Sequence, residues 1–123
     1  MRITLPSGTA AEIARPRRSP NDSSAHPTMG LVIAPDIFSL RPLYDDLVAR
    51  LADEWNMVVC AVEPFPGHTL GPEIEPRFAA VPTIDDEAHL RDLLEAADVV
   101  GAESVALGGP DKVGLLGLSL IHI

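Results

Sequence analysis

Three short runs of consecutive apolar residues, separated by stretches of helical periodicity, organise most of the chain. Gly30-Leu31-Val32-Ile33-Ala34 is the first. It is too short for a helix and suits a strand buried on both faces of a parallel sheet. Met57 to Val62, rich in valine, is the second, and Val113 to Leu116 the third, each read as a buried strand. Between the first two, Leu43, Leu47, Val48, Leu51 and Ala52 recur at helical spacing, while Asp45, Asp46, Arg50, Asp53 and Glu54 take the opposite face. Pro42 suits a first helical position, where its missing N–H costs nothing, and Asn56 can take the left-handed conformation that ends a helix. Asp85 to Val100 returns to helical spacing through Ala88, Leu93, Leu94, Ala97 and Val100, with Gly101 beyond it.

Arg2 to Leu5 and Ala11 to Arg15 flank Pro6-Ser7-Gly8, a turn composition that predicts two short antiparallel strands. Pro16 to Thr28 reads as a surface loop. Pro64, Pro66, Gly67, Gly71, Pro72 and Pro76 make a long loop after the second apolar strand, of a length that is often functional. The order strand, helix, strand, helix, strand predicts an α/β fold, a mostly parallel sheet with flanking helices and right-handed crossovers.

Composition narrows the class. With 46% apolar residues in 123, the chain supports a packed core of one domain. Eighteen acidic against nine basic residues give a net charge of -9, which repels polyphosphate and argues against a nucleic-acid partner. The basic cluster Arg15, Arg17, Arg18 reads as a solvated loop. A single cysteine, Cys60, fits a reducing compartment. The N-terminus has no apolar signal region and no run approaches the roughly 20 residues that span a bilayer. A soluble cytoplasmic protein without a membrane partner is the expectation; the oligomeric state is left open.

Leu31-Val32-Ile33-Ala34-Pro35-Asp36-Ile37-Phe38 resembles the dienelactone hydrolase signature, in which a strand runs into an acidic residue followed by Ile-Phe. Leu51-Ala52-Asp53-Glu54, Val58 through Gly67, and Lys112-Val113-Gly114-Leu115-Leu116-Gly117 follow the same family's order from Gly30 to Gly117. The resemblance implies a partial α/β-hydrolase fold, cut after the strand that bears the nucleophile. It also implies an ester or lactone as small-molecule substrate, a Cys-Asp-His or Ser-containing triad, and no cofactor or metal. The nucleophile of such enzymes rides a strained turn of form G-x-C/S-x-G, and backbone N–H groups hold the oxyanion.

Carried over by position, Asp36 stands where the family has a glutamate that contacts the nucleophile, one methylene longer than here. Ile37 would supply one oxyanion N–H, Ser119 would be the nucleophile and Leu120 the second oxyanion donor. Ile121 occupies the place of the motif's last glycine. The closing string Leu118-Ser119-Leu120-Ile121-His122-Ile123 resembles a translated sequencing adapter. Residues 1–117 are therefore expected to be the N-terminal part of one hydrolase domain and 118–123 a non-native tail. Ser119 then falls on the motif by accident, and His122 lies too close to it to be the triad base. The triad acid and histidine are expected outside this chain, which would leave it inactive.

Several residues have blander readings. Asp36 equally suits capping, and Cys60 suits a small buried hydrophobe. Arg77 could bind a substrate carboxylate or be a solvated loop charge. His68 lies in the same Pro-rich loop, while His26 and His89 read as surface residues. The rival to the hydrolase is a flavodoxin-like or receiver-like binding module, which shares the alternating pattern. A relative of the hydrolases without a nucleophile is a third reading.

Overall fold

The computed structural model describes residues 1–17 and 26–118. Arg18, Ser119, Leu120, Ile121 and His122 lie outside the described residues. Five strands form one sheet in the order β1-β2-β4-β3-β5: β1 Arg2–Thr4, β2 Ala10–Ala14, β3 Met29–Ala34, β4 Met57–Val62 and β5 Val113–Gly117. The sheet is mixed. β3 pairs parallel with β4 and β5, and the hairpin β1–β2 adds an antiparallel edge through β2 against β4.

Helix α1 (Pro42–Trp55) packs on one face of the sheet, where Tyr44, Val48, Leu51 and Ala52 meet Leu31, Ile33, Val59 and Ala61. Helix α3 (Asp86–Ala106) packs on the other, bringing Ala96 and Val100 against Val32, Val58, Cys60 and Val62. Successive strand residues point to opposite faces, so the continuous apolar runs of β3 and β4 serve both layers, as their sequence requires. A short helix, α2 (Ile74–Ala80), and a 3₁₀ turn (Val81–Thr83) interrupt the Pro-rich segment before α3.

Three expectations need correction. The buried stripe of α1 begins at Tyr44, and Leu43 is 57% exposed. The set 44, 48, 51, 52 is a complete i, i+4, i+7, i+8 face, whereas Leu43 sits one residue out of phase. Helix α3 runs through Gly101 to Ala106, and its stop is Gly108 at φ +89°. There Gly108 N–H donates to Val105 O at 2.9 Å and Gly109 N–H to Ser104 O at 2.8 Å, the paired bonds that close a helix through a left-handed glycine. The third correction concerns β5, which is not buried on both faces: Leu115 is 64% and Val113 37% exposed.

The crossover from β3 through α1 leads to β4 on one side of β3, and the crossover through α3 leads to β5 on its other side. The carboxyl ends of β3 and β5 thus flank a point where the winding reverses, which in open α/β sheets is where ligands bind.

Candidate active site

The loop leaving β3 lies at that reversal. Its first polar residue, Asp36, is held on both sides of its carboxylate. Oδ1 accepts from Phe38 N–H at 3.0 Å and Arg41 Nη1 at 2.9 Å, and Oδ2 accepts from Arg41 Nη2 at 3.3 Å. Asp36 N–H donates to the Tyr44 hydroxyl at 3.0 Å. Partial burial pushes the Asp36 carboxyl upward. The Arg41 hydrogen bond, the Phe38 N–H, the Arg41 charge and Tyr44 together outweigh it, and the net pKa lies below the ordinary 3.8. Asp36 is therefore an ionised acceptor with a cap-like local role, and its partner Arg41 stacks 5.1 Å from the Tyr44 ring and 5.5 Å from that of Phe38.

Ile37 follows with a buried side chain. Among the described residues its N–H has no hydrogen-bond acceptor, although both its neighbours' N–H groups do. Buried backbone donors are normally paired, so a free N–H here is suited to an incoming oxygen. Ser39, at φ 65°, closes the turn in the left-handed region and donates from its N–H to Asp36 O at 3.2 Å.

Strand β5 ends beside this loop. Gly117 is the register partner of Ala34, and Leu118 N–H donates to Ala34 O at 2.9 Å. The two chains leave the sheet side by side in the same direction. Positions 119 and 120, assigned to nucleophile and second oxyanion donor, lie outside the described residues.

Arg77 is neither a solvated loop charge nor an open cation. It is 7% exposed. Its Nη1 donates to Ile37 O at 2.9 Å and Ser39 Oγ at 2.7 Å, its Nε to Gly71 O at 2.6 Å, and its Nη2 to Leu70 O at 2.8 Å. The sequence shows a basic residue in a Pro-rich loop but not the short helix that carries it inward.

His68 and His89 line a separate cavity of about 150 Å³ with Phe65, Asp85 and Asp92, and none of Asp36, Ile37 and Arg77 borders it. His89 is half-buried, not a surface residue, and its Nδ1 is buried with no partner among the described residues. Cys60 is buried at the sheet centre, and burial first of all pushes its thiol up to about 12, so it is no nucleophile. No group of three or more His, Cys, Asp or Glu among the described residues is arranged to hold a metal ion. No described helix is long and apolar enough to cross a membrane.

The chain matches no family profile and no curated protein. Solved structures do match it. The protein named m3DLH is 19% identical with a TM-score of 0.61, and the chain covers 48% of its length with 96% of its own. A dienelactone hydrolase-like promiscuous phosphotriesterase from metagenomic libraries is 18% identical with a TM-score of 0.60, at the same coverage. A Klebsiella pneumoniae protein assigned as a dienelactone hydrolase is 19% identical with a TM-score of 0.51.

The mixed five-stranded sheet with helices on both faces is a partial α/β-hydrolase fold. The chain has the fold of the dienelactone hydrolase-like proteins and spans about half the length of those solved structures. A flavodoxin-like module would share the β4-β3-β5 order, but its sheet would be extended by parallel strands, where this one carries the antiparallel β1–β2 hairpin.

Proposed function

We propose that residues 1–117 are the first half of a hydrolase domain that opens a carboxylic ester or lactone by nucleophilic catalysis. The observation that carries this reading is the pairing of Gly117 with Ala34, beside a loop whose Ile37 N–H has no partner among the described residues. A side chain two residues beyond Gly117 would attack the substrate carbonyl as it passes its proton to the triad histidine. The tetrahedral oxyanion would take the Ile37 N–H and the N–H of the residue after the nucleophile. Collapse of the intermediate expels the alkoxide, which takes a proton from the triad histidine. Water, deprotonated by the same histidine, then releases the acid. In this reading Asp36, whose pairing with Arg41 keeps the loop's shape, would hold a negative charge beside the nucleophile.

The histidine and its acid belong to sequence beyond this chain, and 118–123 act as a non-native tail. Ser119 and Leu120 would then match the motif in sequence only, without the machinery to use them. The test compares this chain with a polypeptide extended by the codons that follow Gly117 in the source genome, using 4-nitrophenyl acetate and dihydrocoumarin. The extended polypeptide is expected to turn over one or both, and this chain neither. Turnover by this chain that Ser119→Ala abolishes would overturn the inactivity, and an inert extended polypeptide would overturn the hydrolase reading.

A further inference from the structure

We propose that Arg77 is the positioning residue of the oxyanion loop and does not bind substrate; this rests on the hydrolase reading above. The argument starts from the peptide group itself. In a trans peptide the C=O and N–H point in opposite directions, so whatever holds the Asp36 carbonyl aims the Ile37 N–H. Ser39 N–H holds that carbonyl from inside the turn, which directs the Ile37 N–H outward.

That turn is not self-supporting. Ser39 stands at φ 65° without being glycine, a sparsely populated conformation that persists only where surrounding contacts enforce it. Arg77 provides those contacts. A single nitrogen, Nη1, binds Ile37 O and Ser39 Oγ, fixing the next peptide plane and the strained residue together. Nε and Nη2 anchor the same guanidinium on Gly71 O and Leu70 O, and the cation lies 5.8 Å from the Phe38 ring. The planar fork bridges two loops in a way that an ammonium cannot copy, since lysine offers one point of attachment. Among the described residues Arg77 has no carboxylate partner, and its donors are turned onto protein oxygens.

The two roles give opposite kinetics. In the extended polypeptide, Arg77→Lys is expected to lower kcat on the order of tenfold or more on a neutral aryl ester and on a carboxylate-bearing ester alike. KM should stay within about twofold for both. Ser39→Ala, which removes one acceptor without touching the charge, is expected to act in the same direction and less strongly. In the 123-residue chain, Arg77→Lys is expected to speed hydrogen exchange of the Phe38 and Ser39 amides at least about tenfold, with Cys60 unchanged. A rise in KM confined to the anionic ester, or unchanged kcat, would overturn the proposal. Should the extended wild type be inert, the hydrolase reading fails, and the amide exchange still decides whether Arg77 holds the loop.

Discussion

Gly117 lies opposite Ala34 on adjacent parallel strands, one at the end of β5 and the other at the end of β3. Three residues beyond Ala34 stands Ile37, whose N–H has no acceptor among the described residues. The pairing brings together two chain segments more than eighty positions apart and sets them at the reversal of the sheet's winding, the place where open α/β sheets bind ligands.

The close approach of α3 to β3 should be sensitive to one methyl group. A Cβ at Gly30 would lie 2.8 Å from Val100 Cγ2 and 3.3 Å from the Val100 backbone carbon. Gly30→Ala is expected to destabilise the fold by about 1–3 kcal/mol in urea unfolding, and adding Val100→Ala should recover part of the loss. An unchanged midpoint would show that the helix does not rest on the strand at this point.

Acid should weaken the fold through Asp92. Its side chain is 1% exposed and accepts from Ser7 Oγ at 2.6 Å and Thr9 Oγ1 at 2.7 Å. Burial pushes this carboxyl up, but the two hydroxyls and Arg91 outweigh it and the net pKa falls below 3.8. A depressed folded pKa gives stability that is present above the unfolded value and lost as pH falls through the folded one. Asp36 and Glu103 shift in the same direction. Asp92→Asn is expected to cost on the order of 2 kcal/mol at pH 7, with a shallower loss than wild type below about pH 4. Parallel acid profiles would contradict this.

Strand β5 should make this chain sticky. Among the described residues it pairs only with β3, and Leu115 and Val113 face outward beside Leu90 and Leu94 of α3. Such an edge invites association. Sedimentation velocity is expected to find the chain self-associated, and Leu115→Lys to shift it toward monomer without lowering Tm. A monodisperse wild-type monomer would count against an unpaired edge.

What the sequence disclosed follows from the reach of its signals. The apolar runs of β3 and β4, the Pro42 start and the Asn56 stop of α1 are local and strong, and all appear in the structure at those positions. Helix α2 hid among prolines whose composition argues for loop. Tyr44 was missed because Leu43 next to it is the more apolar residue. The length of α3 was misread because Gly101 imitates a stop, although the true one is Gly108. Asp36 and Ile37 could be singled out by resemblance, but the Arg77 clamp joins segments about forty residues apart and leaves no periodic trace.

Trapping the acyl-enzyme tests the account most directly. The extended polypeptide, quenched during turnover of an activated aryl ester and mapped by peptide mass spectrometry, is predicted to carry the acyl group on the side chain two residues beyond Gly117. Acylation at another residue, or hydrolysis with no acyl adduct at all, would contradict it.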